Sequence, residues 1–194
     1  MLLNVSARGA NGLNFQGGIN TGKTVQDSCD LRAQLPETNV FGASVNAPYC
    51  KNDPGFVTKV TGLGSYTVPK VDVLLGLTFR SDQGAPLRAT WNAPTASVTA
   101  ALGRPAVGVG NTIPIDLIAP GEQWGDRVNE IDVRFAKILR FGGTRTHIGL
   151  DIFNVLNSDA ILTYNQTFAP GGAWLAPQSV LTPRFYKISA QIDF

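Results

Sequence analysis

Charge is scarce in this chain: Asp, Glu, Lys and Arg make up 15% of its 194 residues, against about 25% in ordinary soluble domains. It has one histidine, one methionine and two cysteines. The formal net charge is only +2, with no basic stripe, so no nucleic-acid partner is expected. No run of about 18 apolar residues occurs, which excludes a transmembrane helix. The opening MLLNVSARGANG lacks the long apolar core and small-residue cleavage site of a signal peptide. Helical periodicity is almost absent. A charged disordered chain is excluded as well, because hydrophobic residues reach 43% and such chains carry far fewer.

The chain is instead rich in glycine (21), proline (12) and period-two alternation. The length suits a single unit over 1–194. Leu13, Phe15, Gly17 and Ile19 alternate with Asn14, Gln16, Gly18 and Asn20. Val71, Val73, Leu75, Leu77 and Phe79 alternate with a mixed set; Ile131, Val133 and Phe135 alternate with Glu130, Asp132 and Arg134. Ile148, Leu150 and Ile152 repeat the pattern, and Tyr186, Ile188, Ala190, Ile192 and Phe194 end it. With 2–7 and 56–66 added, the alternation predicts seven strands.

Short and long connections take turns. The short ones are Ala10-Asn11-Gly12, Pro69-Lys70 and Gly142-Gly143; the long ones cover roughly 26–54, 82–126 and 157–182. Unstructured loops over ~15 residues are uncommon in compact soluble domains, whereas outer-membrane barrels combine short periplasmic turns with long external loops. The expected fold is therefore all-β: an antiparallel transmembrane β-barrel segment of about seven strands, incomplete as a barrel, with Phe194 at the periplasmic face. Turn placement sets the register. It predicts Phe135 opposite Leu150, Val133 opposite Ile152 and Arg134 opposite Asp151. It also predicts Tyr66 opposite Val73, Val60 opposite Phe79, Ala7 opposite Phe15 and Leu3 opposite Ile19. Tyr66, Phe141 and Phe194 then fall at one rim, as an aromatic girdle would; hydrophobic plugs of a soluble β-domain are the other reading.

Residues 127–168, RVNEIDVRFAKILRFGGTRTHIGLDIFNVLNSDAILTYNQTF, and 184–194, RFYKISAQIDF, resemble the C-terminal end of TonB-dependent outer-membrane receptors of the Oar-like branch. DIFNVLNSD matches that family's Phe-Asn-Leu-Asn signature before the last loop. GLNFQGGINTGKTVQDSC and FVTKVTGLGSYTVPKVDV are similar to the branch too, so the resemblance covers essentially the whole chain. It implies a plugged barrel of roughly 22 strands in the outer membrane, of which this chain would hold the last seven. The implied partners are outer-membrane lipid, the rest of the barrel and its plug, the TonB energy-coupling complex through a missing N-terminal part, and the barrel assembly machinery, which would read the C-terminal strand. The signal peptide, plug and TonB-contacting box have no counterpart here, and Met1 is read as a truncated or internal start. Seven strands leave two edges unpaired.

In an exported protein Cys29 and Cys50 are expected to form a disulfide that pins the first long loop, rather than stay as thiols. Glu130, Asp132, Arg134, Asp151, Lys187 and Asp193 share the face expected to line the lumen, as a cross-strand charge ladder or as contacts to plug or substrate. His147 on that face has no nucleophile beside it. Trp91, Trp124 and Trp174 fall in long loops, where they either pack loops together or meet ligand. No catalytic residue, metal site or cofactor is expected, and the chain is not read as an enzyme.

Two other readings stand beside the receptor. Residues 17–24, GGINTGKT, match the phosphate-binding loop G-x-x-x-x-G-K-[ST], with Lys23 and Thr24 in the phosphate and magnesium roles and Asp151 as a stand-in for the second acid. The flanking alternation and the lack of strand–helix repeats speak against it. A free-standing small barrel or adhesin would need an eighth strand within 105–119.

Overall fold

The computed structural model describes residues 1–9, 12–34, 49–105 and 110–193. The elements run β1 (Leu2–Arg8), β2 (Leu13–Gly22), β3 (Gln26–Asp27), α1 (Cys29–Gln34), β4 (Lys51–Asn52), β5 (Val57–Val68), β6 (Val73–Asp82) and β7 (Thr90–Pro94). They continue with α2 (Thr95–Leu102), β8 (Thr112–Asp116), β9 (Val128–Phe141), β10 (Thr144–Phe153), β11 (Ile161–Tyr164), β12 (Thr167–Phe168), β13 (Pro177–Val180) and β14 (Phe185–Asp193). The protein is all-β. Its main sheet has seven strands in the order β1-β2-β5-β6-β9-β10-β14, and every neighbour pair is antiparallel. Each strand pairs with the next long strand in sequence, so the three short turns lie at one end of the sheet and the three long connections at the other. The two outer strands, β1 and β14, are not paired with each other, and the sheet is open.

The register follows the turns. Ala7 faces Phe15 and Leu3 faces Ile19; Phe135 faces Leu150, Val133 faces Ile152 and Arg134 faces Asp151. All five pairs are as expected. The middle hairpin differs by two residues: Tyr66 faces Leu75 and Val60 faces Ser81, with Val68 opposite Val73. The chain turns there over four residues rather than two, Lys70 and Asp72 both taking left-handed backbone (φ 71° and 50°). Val71 continues the alternation in sequence but sits in the turn. Because the slip is even, every side chain keeps its face.

Two neighbouring rows across the sheet show what the alternation achieves. One reads Ala7, Phe15, Gly64, Leu77, Val133, Ile152, Tyr186; the next reads Arg8, Asn14, Ser65, Gly76, Arg134, Asp151, Lys187. Side chains of successive rows point to opposite faces. One face is thus apolar from edge to edge, while the other carries nearly all of the charged side chains together with Leu63, Leu74 and the stacked Phe153 and Phe185. Among the described residues nothing covers the apolar face: Leu3 is 51% exposed, Leu77 48% and Ile188 81%.

The buried apolar side chains are elsewhere. Leu87, Ala89, Ala93, Val128, Ala160 and Leu181 all lie in the long connections or where these meet the sheet, and only Ala136 is buried mid-sheet. The long connections are therefore not the irregular loops expected from the sequence. The first carries the two-stranded β3–β4 ladder, and β7, β8 and β12 form a three-stranded sheet that joins the second connection to the third. The extended stretch within 105–119 does supply a strand, β8, but it pairs with β7 and not with the main sheet. It provides no eighth wall strand.

Candidate functional site

Three regions hold the residues singled out by sequence: the polar face, the end bearing the long connections, and the rim at the short turns. On the polar face the six residues expected to form one ladder fall instead into separate groups, and four of them make ion pairs. Arg134 Nη1 lies 3.2 Å from Asp151, and Lys187 is directly opposite Asp151 on the far side. Glycine makes room for this arginine. A Cβ on Gly149 would stand 3.3 Å from Arg134 Nη2, and one on Gly76 would stand 3.3 Å from Arg134 Cβ. Arg134, Asp151 and Lys187 border a hollow of about 360 Å³ on this face.

Glu130 finds its partner outside the expected set: Arg80 Nη2 is 2.5 Å away, and Arg80 Nε is 3.7 Å from Asp82, which Lys59 also meets at 3.2 Å. Cross-strand position accounts for Arg80, which the β6–β9 pairing places opposite Glu130. Among the described residues Asp132 has no ion-pair partner. Its Oδ1 accepts the backbone N–H of Asn154 at 2.9 Å, which ties it to a turn. Asp193 lies 3.6 Å from His147 Nε2 and accepts a hydrogen bond from Gln191.

That turn explains the DIFNVLNSD stretch. Asn154 and Asn157 both take left-handed backbone (φ 49° and 51°), which asparagine tolerates better than most residues. Asn154 is 1% exposed. Its side chain donates to the carbonyls of Ser158 and Thr182 and accepts from Ser158 N–H, each at 2.9 Å. Asn157 Oδ1 accepts the N–H of Arg184 at 3.0 Å. Together the two asparagines close the base of the last long connection. The sequence marked this stretch only by resemblance; its work here is structural.

At the long-connection end, Cys29 and Cys50 are joined in a disulfide with Cα atoms 4.8 Å apart, as expected. It staples the end of the β3–β4 ladder, where Asp27 pairs with Lys51. Trp174 stacks edge-on against Phe168 at 6.0 Å and donates its indole N–H to the Arg88 carbonyl at 2.9 Å. Trp91 pairs with Phe168 and Ile115 in the small sheet, and Trp124 bridges to Pro86. All three tryptophans are half-buried and hold connections together.

The phosphate-loop match falls in a strand. Residues 17–22 belong to β2, hydrogen-bonded on both sides, so their backbone groups are not gathered around an anion. Beyond β2 the chain enters β3 and the six-residue α1, not the long helix a phosphate loop opens. Lys23 is paired with Asp53 at 3.0 Å and lies 5.8 Å over the Phe56 ring. Hydrogen bonds from Lys23 and from Gly55 N–H hold the exposed Asp53 carboxyl below its ordinary range, helped by the charges of Lys23 and Lys51.

At the short-turn rim, Tyr66 and the exposed Phe141 lie on the apolar face, near the turns after β5 and β9. Phe194 and the turn residues Ala10 and Asn11 lie outside the described residues. Lys137 shares the apolar face, and its ammonium reaches back to the Val71 carbonyl in the turn. Among the described residues no cluster of His, Cys, Asp or Glu is arranged to hold a metal ion, and no helix is long and apolar enough to cross a membrane. Comparison with protein-family models, curated proteins and solved structures finds no match to this chain.

Proposed function

We propose that this chain forms wall strands and external loops of an outer-membrane β-barrel, the C-terminal part of a TonB-dependent receptor of the Oar-like branch. The observation that carries the reading is the two-faced sheet. One face exposes large apolar side chains on six of the seven strands, while the opposite face carries the cross-strand ion pairs. A soluble monomer rarely exposes an apolar patch beyond a few hundred Å². A lipid-facing barrel wall requires such a face, with polar side chains turned to the lumen. Short turns at one end and folded connections at the other fit the periplasmic and external sides. The unpaired edges of β1 and β14 are where further wall strands would join. Binding or energy-dependent passage of a substrate belongs to the complete receptor, with its plug and the TonB complex, and the assembly machinery would engage β14.

Diluting the unfolded chain into phosphatidylcholine vesicles tests the reading. The expected result is β-rich circular dichroism that appears only with vesicles, and protein that stays with them after an alkaline wash. A β-rich monomer that remains in buffer and ignores vesicles would overturn it.

A further inference from the structure

The two limits of the apolar face run aslant of the strand rows. Toward the long connections the face ends in hydroxyls and an amide. Thr21 faces Thr58 there, and Ser81 faces Asn129 one outward position lower, since Ser81 lies opposite Val60. The limit thus drops two residues over two strands. The short turns descend in the same direction. The β1–β2 pairing ends at Arg8 and Asn14, in the row of Ser65 and Gly76, whereas β5–β6 runs on to Val68 and Val73 and β9–β10 to Phe141 and Thr144. A drift of about one residue per strand, at ~3.3 Å along and ~4.8 Å across, is a slant of roughly 35°, the tilt of strands in a membrane barrel. On strands so tilted the two limits become level lines roughly 30 Å apart, the hydrocarbon depth of a bilayer.

One charge interrupts this face. Among the described residues of the seven strands, Lys137 is the only charged side chain on it, in a row with Val68, Val73 and Ile148. Its ammonium is turned toward the short turns and donates to the Val71 carbonyl, the course a lysine takes at a membrane interface. That bond leaves two of its three N–H donors to be met by a partner. Lys70, next to Val71 in the turn, is exposed. Arg140 holds the acid of this turn, Asp72, at 3.2 Å, and among the described residues neither lysine has an acidic partner. Lys70, Lys137 and Arg140 against Asp72 leave the turn two positive charges in excess. The rest of this end does not cancel them. Arg8 and Arg145 add two cations and Asp193 one acid, and a carboxylate on Phe194 would still leave an excess of two.

We infer that Lys137 and Lys70 hold the phosphate of an anionic phospholipid at the short-turn rim of the apolar face, an inference that rests on the membrane reading above. The stem of Lys137 lies along hydrocarbon while its ammonium meets the headgroup, and Lys70 supplies the second charge. Tyr66 stands on the same face, one outward position above Val68 on β5, at the depth where amphipathic rings meet headgroups.

The test uses the full chain folded into mixed phosphatidylcholine–phosphatidylglycerol vesicles, extracted in mild detergent and weighed by native mass spectrometry. Retained lipid is expected to be mainly phosphatidylglycerol. Lys137→Met and, independently, Lys70→Gln are each expected to cut that preference roughly fivefold, with β-content unchanged, and Lys137→Arg is expected to keep it. Arg8→Gln removes the same charge from the same end on the opposite face, and is expected to leave the preference as it was. Equal retention of the two lipids by the unaltered chain overturns the proposal. So does an equal fall with Arg8→Gln, which would mark the charge of the whole end rather than a site at the turn. In both cases the membrane reading survives, whereas failure of the chain to fold with vesicles at all would sink both.

Discussion

Asn154 shows how much one buried amide can organise. Its two donated bonds and one accepted bond tie the end of β10 to both ends of the last long connection. Replacing it with alanine removes all three hydrogen bonds, each worth ~0.5–1.5 kcal/mol net. Asn154→Ala is expected to cost about 3 kcal/mol in denaturant unfolding of the vesicle-bound protein. Asn154→Gly keeps the left-handed backbone within reach and should cost less. Asp53 supplies a pH test at the same scale. Its folded value lies below its ordinary one, so its pairing stabilises fully above the ordinary carboxylate range and is lost as pH falls through the lowered value. An NMR titration of the Asp53 carboxyl is expected to show the low value, and Lys23→Gln should move it upward. The sequence revealed the ladder residues because alternation names a face. It did not reveal that Asp132 serves a turn while Arg80 serves Glu130, since that choice depends on which groups a folded turn brings near.

Among the elements, strands that alternate cleanly were legible and those of two to five residues were not, apart from β8 within the extended stretch 105–119. β11, β12 and β13 alternate too briefly to stand out from loop; β11 and β13 pair with each other through an irregular register, and the partner of β12 is the distant β7. The β5–β6 turn misled by two residues because Val71 imitates a strand residue, while the two left-handed positions that define the turn belong to Lys70 and Asp72 rather than to glycine. The Cys29–Cys50 bridge closes a segment of 21 residues, for which chain entropy gives about 3 kcal/mol. The bridge lies wholly in the first connection, so reduction is expected to raise protease cleavage within 26–54 and leave the β-signal of the main sheet unchanged. Loss of that signal on reduction would show that the connection holds the sheet, contrary to the topology.

For the whole molecule, the consequential asymmetry is between the faces of the main sheet. Leu77 and Thr78 are neighbours in sequence on opposite faces. If the apolar face meets hydrocarbon, Leu77→Arg is expected to cost ~2–4 kcal/mol in vesicles, as charge does near a bilayer midplane. Thr78→Arg should cost far less, and equal costs would argue that neither face meets lipid. The long connections carry a different asymmetry. β12 pairs in parallel with β7, and Trp174 hangs from the Arg88 carbonyl 86 residues earlier. A force applied to the third connection is thereby passed to the second, through the strand pair and the indole together. The second and third connections are thereby expected to open together as one flap, because whatever pries Trp174 away also strains the β12–β7 pairing.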